Sequence, residues 1–599
     1  MNILGLSFFY HDSSACLLQD GVLIAAAEEE RFSRVKHDSG FPGLAIDFVL
    51  ERAGITMHDV DYVVFYEKPF VKFERMLISA MATFPRSSAV FRESMQRWIT
   101  DKLWIKSMMS KRLGIPSSKL LFCEHHMSHA ASSFYTSPFE ESAILTVDGA
   151  GEWSTATLSV GRGNKIEILK EMRFPHSLGL LYSAFTAYCG FEINEGEYKL
   201  MGMHPYGEPK YVDKIYELID VGKDGSLWQN MRYFAYHYSR DSTLSDAFAE
   251  HFGKPARDPK LQDKSLDPYY CDMAASIQRV TEEVLLRMLE ALKRETGLNN
   301  VCLAGGVALN SVANYKLLRQ GPFDDVYIHP APGDDGGCVG AAYWAYNHLL
   351  DQPRGPALEH AYLGSESTDE DIEAFLNKYE IPFEKIEDDE AFFDFVAHAL
   401  ADGKVCGWMR GRFEWGPRAL GSRSIIADPR KTEMKELLNA KIKFREAFRP
   451  FAPSVIEEAA PEFFDFEAPT AKTKQYPARF MLYVAPVRED KRSVLPAITH
   501  EDGSGRLQTV VKETNPAYHR MIERFGEITG VPVVMNTSFN LKGEPIVEDP
   551  SHAFNTFSLS GMDYLFMNNY IVRAEDKKKI ADTRFTLRTE GDSVTQMVS

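Results

Sequence analysis

Short apolar runs open the chain and predict a three-stranded meander. Residues 2–7, 13–18 and 22–27 are each rich in apolar side chains, and the turn sequence QDG lies between the second and third runs. Runs of this length, bounded by turn residues, are typical of buried strands. A second group of the same kind covers residues 142–169, with GRGN as its turn.

The two meanders align when the first is shifted by 141 residues, so that Ile3 falls on Ile144 and Ala15 falls on Ala156. Any two strands share apolar periodicity, and one matching register is weak evidence by itself. The shared order of elements nevertheless favours a duplicated fold.

The clearest helical pattern covers residues 272–296. Apolar residues recur there in steps of three and four, and Gly297 is a suitable stop. Residues 301–310 and 326–350 then each resemble a strand, a glycine-rich loop and the start of a helix. Two helix N-termini that follow strands in this way predict an anion-binding cleft.

The pattern also predicts domain limits. Residues 351–360 contain two prolines and a glycine without periodicity, so we predict an interdomain linker over 351–364. It would separate an N-terminal domain of residues 1–350 from a C-terminal domain of residues 365–585, followed by a loose polar tail at 586–599.

Composition and charge narrow the class of protein. The chain has 599 residues, of which 44% are hydrophobic, and its net charge is −18. This charge argues against nucleic acid or a membrane as the main partner. Seven isolated cysteines, the lack of a long apolar stretch and an N-terminus without a basic region predict a cytoplasmic protein.

Two histidines and two aspartates predict a metal site. On a helix, His125 and His129 would lie one turn apart on one face, which is a spacing that metal ligands use. Asp148 and Asp334 follow apolar strands, where a carboxylate is costly unless it is paired or binds a metal. Such ligands suit iron, manganese or zinc, and histidines that merely pack or face solvent are the alternative.

Glycines recur in the loops after predicted strands, where backbone N–H groups can approach phosphate oxygens. They are Gly149, Gly151, Gly305, Gly306, Gly333, Gly336 and Gly337. A tight turn would explain each glycine alone, but their recurrence favours a nucleotide held between two lobes.

Basic residues are dense between residues 410 and 449, where they are embedded among glycine, proline and apolar residues. They are Arg412, Arg418, Arg423, Arg430, Lys441, Lys443, Arg445 and Arg449. Arginine forks in such surroundings favour phosphate recognition, with RNA binding as the alternative that the acidic total disfavours. Further donors are Arg506 and the polar loop with Asn536, Thr537, Ser538 and Asn540, which an ordinary turn would also explain.

Together these segments resemble the carbamoyltransferase family, which contains the nodulation-factor, cephalosporin, tobramycin and paralytic shellfish toxin O-carbamoyltransferases. The motifs are HDSSACLL, AAAEEERFSRVKH, EHHMSHAASSFY, LTVDGAGEW, GEYKLMGM, LAGGVALN, GPRALGSRSIIADPR, FRPFAPS and MNTSFN, and the resemblance covers positions 1–575. It implies an α/β protein with a duplicated ASKHA-type (actin/Hsp70-like, RNase H-like) N-terminal domain and an α/β YrdC-like C-terminal domain.

The resemblance implies a two-step reaction. Carbamoyl phosphate and ATP would give carbamoyl-adenylate in the C-terminal domain. The N-terminal domain would then transfer the carbamoyl group to a hydroxyl of a small natural product, or alternatively of a sugar, an oligosaccharide, a nucleoside or a tRNA. The implied metal is Fe(II), with Mg²⁺ a candidate for the nucleotide step, and a homodimer is expected only from the resemblance.

The resemblance also assigns residues to roles. His11 would deprotonate the acceptor, Lys36 would act in the nucleotide environment, and His125, His129, Asp148 and Asp334 would bind the metal, with Asp334 favoured over Asp335. The implied nucleotide-binding residues are Gly149, Gly151, Gly305, Gly306, Asn310 and Gly333. The implied carbamoyl-phosphate and adenylate ligands are Arg418, Arg423, Lys443, Arg449, Arg506, Ser538 and Asn540.

Two rival functions make different predictions. A sugar-kinase-like ATPase of the same superfamily would have no use for the C-terminal arginine pocket, and an RNA-binding protein should carry a basic surface. The acceptor itself is left open, because residues 60–120 and 225–270 are rich in aromatic residues and methionines that suit either acceptor contact or core packing.

Overall fold

The computed structural model of the chain describes residues 1–100, 102–239, 242–260, 266–443, 448–470 and 475–577. These residues form two compact units. Unit 1 comprises residues 1–26 and 39–358, and unit 2 comprises residues 27–38 together with the described residues from 359 onward. The predicted tail at 586–599 lies outside the described residues.

Unit 1 contains two five-stranded sheets, with the orders β3-β2-β1-β4-β5 and β12-β11-β6-β7-β8. The strands are β1 (Asn2–Ser7), β2 (Ser14–Gln19), β3 (Val22–Glu28), β4 (Tyr62–Phe65), β5 (Leu120–Phe122), β6 (Glu141–Val147), β7 (Ser154–Arg162), β8 (Lys165–Arg173), β9 (Ile219–Val221), β10 (Leu227–Gln229), β11 (Asn300–Ala304) and β12 (Asp325–Ile328). Strands β9 and β10 form a separate two-stranded sheet.

The two five-stranded sheets have the same topology. In each, the first strand pairs antiparallel with the second and parallel with the fourth, which pairs parallel with the fifth. Strands β1 and β6 occupy equivalent positions, as the shift of 141 residues predicts. The predicted α/β class and duplicated ASKHA-type arrangement are therefore confirmed.

The first thirteen helices belong to the chain before residue 358. They are α1 (Glu30–Ser33), α2 (Gly43–Arg52), α3 (Pro69–Ala82), α4 (Ser88–Thr100), α5 (Ile105–Leu113), α6 (His125–Thr136), α7 (Leu178–Tyr188), α8 (Glu197–Met203), α9 (Val212–Tyr216), α10 (Asp246–Phe252), α11 (Pro268–Thr296), α12 (Ser311–Gln320) and α13 (Gly337–Tyr343). Helix α11 contains the predicted helix and ends at Gly297, whose φ is 67°.

Helices α6 and α13 cross at very short range. Helix α6 packs on β6 and β11, and α13 packs on β1 and β2. A Cβ atom at Gly340 of α13 would lie 1.7 Å from the carbonyl oxygen of Ser128 of α6, so only glycine permits this crossing. The crossing fixes the helix that bears the predicted histidines against the helix that follows Asp334.

The first part of the predicted linker packs on unit 1. Arg354 donates to the carbonyl oxygens of Phe134 at 2.7 Å and Ser137 at 3.0 Å, and the Leu358 N–H donates to Thr136 at 2.8 Å. These bonds pair with carbonyl groups at the C-terminus of α6, where the helix itself supplies fewer donors. Proline and glycine content predicts an irregular segment, but it cannot show that the segment caps a helix.

Unit 2 contains one nine-stranded sheet with the order β13-β21-β20-β14-β15-β19-β16-β18-β17. Its strands are β13 (Glu384–Lys385), β14 (Cys406–Met409), β15 (Arg423–Ala427), β16 (Ala452–Ile456), β17 (Tyr483–Pro486), β18 (Ser504–Val510), β19 (Val533–Ser538), β20 (Tyr564–Met567) and β21 (Tyr570–Arg573). Its helices beyond α1 are α14 (Asp369–Lys378), α15 (Asp389–Ala401), α16 (Glu433–Leu438), α17 (Ala460–Phe463), α18 (Tyr476–Arg479), α19 (Pro516–Thr529) and α20 (Pro550–Ser558).

Unit 2 differs from the predicted C-terminal domain because it also includes residues 27–38. A domain limit drawn from composition is continuous along the chain, whereas these residues pack with partners far away in sequence. Within the described ranges, no helix combines the length and the apolarity that a bilayer span requires.

Candidate functional site

The predicted metal ligands come together in unit 1. His125 and His129 lie on the same face of α6, Asp148 follows the last residue of β6, and Asp334 begins a 3-10 turn that leads into α13. One ligand atom from each side chain lies within 4.8 Å of the other three. The predicted convergence of two histidines and two aspartates is present in the structure, and Asp334, not Asp335, belongs to the group.

The distances within this group are short. His125 Nε2 lies 3.2 Å from Asp148 Oδ2 and 3.1 Å from His129 Nε2. Asp334 Oδ1 lies 3.5 Å from His125 Nε2 and 3.4 Å from His129 Nε2. Two imidazole nitrogens and two carboxylate oxygens that point at one small volume form a donor set that suits a divalent iron, manganese or zinc ion.

Burial and mutual charge shift the pKa values in this group. Burial raises the pKa of Asp148, but the hydrogen bond from His125 and the histidine charges outweigh burial and hold this pKa well below its usual value. Burial lowers the pKa of His125, but the charge of Asp334 and the contacts with Asp148 raise it to about 9. Each charge state is therefore stabilised by its neighbours in the group.

Glu152, which the sequence did not single out, holds the N-terminus of α6. Its two carboxylate oxygens accept from the His125 N–H at 3.1 and 3.0 Å, and one of them also accepts from the Lys68 N–H at 2.7 Å. A carboxylate at a helix N-terminus pairs with unsatisfied donors and with the helix dipole. Its position four residues after Asp148 is the signal that could have identified it.

Two of the predicted glycines, Gly151 and Gly306, lie directly against metal ligands, and Gly305 lies against the residue before Asp148. A Cβ atom at Gly151 would lie 2.7 Å from Cδ2 of His125, and one at Gly305 would lie 2.3 Å from the carbonyl oxygen of Val147. The Gly306 N–H donates to Asp148 Oδ1 at 2.9 Å. These glycines allow loops to approach the ligands closely, and their binding of a nucleotide stays a prediction.

The remaining predicted nucleotide residues, Asn310, Gly149 and Gly333, have three different surroundings. Asn310 accepts from the Ala313 N–H at 3.1 Å as the N-cap of α12, and it donates to Gln278 at 2.9 Å. Gly149 has open space around it, since an added Cβ atom would approach no atom closer than Leu180 Cδ2 at 3.8 Å. Gly333 is the residue that precedes the 3-10 turn of Asp334.

His11 lies beside an acid and under the influence of the metal ligands. Its Nδ1 is 2.9 Å from Asp12 Oδ2. Burial lowers the pKa of His11, but Asp12, Asp334 and Asp148 raise it to about 9. The contact orients the imidazole so that Nε2 is the nitrogen that can meet a substrate, which is compatible with the predicted role in proton transfer.

In unit 2, the structure brings three predicted anion ligands together. Lys443 Nζ donates to Asn540 Oδ1 at 2.8 Å and to Ser538 Oγ at 3.3 Å, and Ser538 Oγ donates to Asn540 Oδ1 at 2.7 Å. Lys443 is buried. Lys443 Nζ also donates to the carbonyl oxygens of Ser538 at 2.5 Å and Asn540 at 2.9 Å. The three N–H groups of the ammonium therefore have acceptors within the chain, and the binding of an anionic substrate here stays a prediction.

Arg423 is placed differently from the expectation. Its side chain is fully buried, and it donates to the carbonyl oxygens of Gly411 at 2.8 Å, Ser422 at 3.0 Å and Glu548 at 3.1 Å. These contacts bind the guanidinium group to the backbone of unit 2. The sequence could not separate this arginine from the others, because its neighbours in the motif are equally small and apolar.

Arg418, Arg449 and Arg506 are partly exposed, and each makes interactions of its own. Their participation in the anion site stays a prediction. Lys36, which the sequence assigned to the nucleotide environment, lies in the part of the chain that belongs to unit 2.

Comparisons with known proteins agree with this arrangement. The model described as carbamoyltransferase N-terminus matches residues 2–343, and the model described as carbamoyltransferase C-terminus matches residues 397–574. The chain is 47% identical over 607 aligned positions to the uncharacterized protein sll1178 of Synechocystis, covering 95% of this chain and 96% of that protein. It is 37% identical over 577 positions to nodulation protein NolNO of Sinorhizobium fredii, covering 94% and 79%.

Among solved structures, HypF of T. kodakarensis aligns with a TM-score of 0.30 at 14% identity, covering 59% of this chain and 48% of that chain. The two units, each with its own cluster of polar residues, define a two-part α/β enzyme. The matched family models and relatives show which one: the chain belongs to the carbamoyltransferase family, and it is an enzyme that transfers carbamoyl groups.

Proposed function

We propose that the protein is an ATP-dependent O-carbamoyltransferase that uses two separate sites. In unit 2, water would hydrolyse carbamoyl phosphate to carbamate and inorganic phosphate, and the carbamate would react with ATP to give carbamoyl-adenylate and pyrophosphate. In unit 1, a hydroxyl group of a small natural product would attack the carbamoyl carbon and release AMP. A sugar, oligosaccharide, nucleoside or tRNA hydroxyl is the alternative acceptor.

The buried convergence of His125, His129, Asp148 and Asp334 is the observation that carries this proposal. These residues would hold a divalent ion, with Fe(II) as the proposed metal. When bound, such an ion supplies a Lewis acid that can polarise a carbonyl or phosphoryl oxygen. Glu152 and the Gly306 N–H support the site because they fix the backbone of His125 and one oxygen of Asp148.

The chain itself supplies the proton acceptor and the orientation. His11 is oriented by Asp12 at 2.9 Å and would take the proton of the acceptor hydroxyl. Asp334 and Asp148 contribute to the raised pKa of His11, so neutralisation of these two carboxylates by a bound cation would lower that pKa, while Asp12 would still raise it. The neutral imidazole that a base requires would then be more populated at neutral pH.

In unit 2, Lys443, Ser538 and Asn540 would meet the phosphate of carbamoyl phosphate or of the adenylate. The buried Lys443 ammonium group provides the charge, and the Ser538 hydroxyl and Asn540 amide provide further polar contacts. Enclosure of both reactive species would limit their loss to water.

A partial-reaction assay tests the proposal. The protein is incubated with carbamoyl phosphate and ATP, and pyrophosphate, AMP and ADP are measured. Pyrophosphate that depends on carbamoyl phosphate is the expected product, whereas release of ADP alone would contradict the adenylate step.

Variants of one helix separate the two sites. His129→Ala should lose the metal and the transfer step but retain pyrophosphate formation in unit 2. His126→Asn is a matched control on the same helix, because the His126 Nδ1 bonds to Thr146 Oγ1 at 2.7 Å and burial lowers its pKa to about 3, so it is neutral. Equal loss of both steps in His129→Ala, with folding intact, would count against two separate sites.

A further inference from the structure

A short segment from the first part of the chain is built into unit 2. Residues 27–38, named here the strap, include the end of β3 and helix α1. The strap contains most of the motif AAAEEERFSRVKH, and the resemblance assigns a role only to its Lys36. Three of its charged residues, Glu28, Glu29 and Arg31, are buried, and a buried charge is tolerated only with specific partners.

Glu28 and Arg31 bind one residue of unit 2, Gly416, through its backbone N–H and its backbone carbonyl oxygen. The Gly416 N–H donates to Glu28 Oε1 at 2.9 Å, and Arg31 Nη2 donates to the Gly416 carbonyl oxygen at 2.8 Å. Arg31 Nε and Glu28 Oε2 are 3.4 Å apart, which joins the two side chains. Gly416 has a φ of 100° and lies two residues before Arg418, so this grip fixes the loop that presents Arg418.

Arg34 holds a second loop of unit 2. It donates to the carbonyl oxygens of Ile546 at 2.7 Å and Pro545 at 2.8 Å. The adjacent residue, Glu544, accepts from Asn540 Nδ2 at 2.6 Å through its carbonyl oxygen. Through this short chain of contacts, Arg34 is joined to the loop that holds Asn540 against Lys443.

The loops that the strap contacts indicate whether the strap positions anion ligands or only stabilises the fold of unit 2. Arg31 is 1% exposed and its guanidinium group lies 5.3 Å from the ring centre of Phe413, so it contributes to the core as well. The strap contacts two loops, and each of these loops carries a predicted anion ligand. This pairing favours a positioning role over a purely structural role. Anionic substrates need donors held in a fixed geometry, and that geometry depends on such supporting contacts.

We propose that the strap is a positioning element of the carbamoyl-adenylate site. Glu28 and Arg31 set the Arg418 loop, and Arg34 sets the Asn540 loop, so unit 2 is competent only with residues 27–38 in place. This inference rests on the proposed function of unit 2. None of the three residues needs to touch a substrate.

The test uses the full chain with Arg34→Ala, Arg34→Lys and Glu28→Gln. Pyrophosphate exchange that depends on carbamoyl phosphate is measured over a range of carbamoyl phosphate concentrations. We expect kcat/KM for carbamoyl phosphate to fall by about tenfold or more in Arg34→Ala, equivalent to about 1.4 kcal/mol. Arg34→Lys should recover only part of this loss, because a lysine cannot present a planar fork to two carbonyl groups.

Two controls accompany these variants. Arg524→Ala removes an arginine of unit 2 that pairs with Asp394 and Glu527 on a partly exposed face, and it should leave the exchange rate unchanged. Affinity for Mn²⁺ reports on unit 1 and should be equal in all variants. The thermal midpoint of each variant shows whether it is folded.

The outcomes separate the two proposals. A wild-type protein that shows no exchange refutes the proposed function of unit 2. Exchange in the wild type with an unchanged kcat/KM in folded Arg34→Ala and Glu28→Gln overturns the role of the strap. If Arg34→Ala does not fold, Arg34→Lys and Glu28→Gln decide: a normal kcat/KM in both overturns the inference, and a selective fall supports it.

Discussion

Replacement of Gly151 by alanine tests the metal site through one methyl group. The added Cβ atom would lie 2.7 Å from Cδ2 and 2.9 Å from Cγ of His125, whereas ordinary contact begins near 3.4 Å. Gly151 cannot easily retreat, because its N–H donates to the Ser154 carbonyl oxygen at 3.0 Å and its own carbonyl oxygen accepts from Arg75 at 2.8 Å. The imidazole ring must therefore move.

The magnitude follows from these distances. The ring has to shift by about 0.7 Å, whereas metal–ligand distances tolerate only about 0.2 Å. Overpacking of this kind costs about 1–3 kcal/mol, which corresponds to roughly 5- to 150-fold weaker metal binding. Calorimetric titration with Mn²⁺ or Zn²⁺, with a competing chelator for tight binding, measures this change.

Gly149→Ala is the matched control. It lies in the same loop, but its Cβ atom would meet only Leu180 Cδ2 at 3.8 Å, so its metal affinity should equal that of the wild type. Equal affinities in Gly151→Ala and Gly149→Ala would refute the placement of His125 as a ligand. Unchanged pyrophosphate exchange in both variants would show that unit 2 is intact.

Three further predictions concern single residues. Asp334→Asn should lose the metal while Asp335→Asn retains it, as measured by metal content after dialysis, because only Asp334 lies in the ligand group; loss in both variants would contradict this assignment. Arg423→Met should lower the free energy of unfolding by about 3 kcal/mol or more in urea titrations, since it removes the hydrogen bonds from a buried side chain to the carbonyl oxygens of Gly411, Ser422 and Glu548; an unchanged stability with a raised KM for carbamoyl phosphate would favour a ligand role instead. Burial raises the pKa of Glu28 from 4.5 to about 7 despite Arg31. Its stabilising contribution is therefore fully present below about pH 4.5 and is lost as the pH rises to about 7, so the unfolding free energies of wild type and Glu28→Gln should diverge over this range; parallel curves would contradict the shift.

Apolar runs, turn residues and helical periodicity in the sequence predicted the elements that depend on neighbouring residues. The meander of β1 to β3 and its counterpart of β6 to β8 follow from apolar runs and turns, and α11 follows from its periodic apolar face. The metal ligands could be predicted from the sequence for the same reason, since the HxxxH spacing and the ends of buried strands are local signals. The shared strand order then confirmed the duplication that the register suggested.

Contacts between segments that are distant along the chain could not be predicted from the sequence. The strap belongs to unit 2 through bonds from Arg31 and Arg34 to carbonyl oxygens that have no sequence signature. Arg354 lies in a segment whose composition indicates only an irregular linker, yet it caps α6. Arg423 and Lys443 occur in similar basic surroundings, and both donate to backbone carbonyl oxygens in the structure. Lys443 differs in that it also donates to the side chains of Ser538 and Asn540, a difference that the sequence does not show.

The duplication has a consequence for the origin of the metal site. With the shift of 141 residues, Ser7 at the end of β1 is the counterpart of Asp148. The Ser7 hydroxyl donates to the Asp334 backbone carbonyl oxygen at 2.9 Å, so both counterparts face the same ligand group. The end of β6 supplies the ligand Asp148, and the equivalent end of β1 binds the backbone of the ligand Asp334 through Ser7. The pseudosymmetric framework thus carries a single asymmetric site, and neither half of the repeat could assemble that site alone.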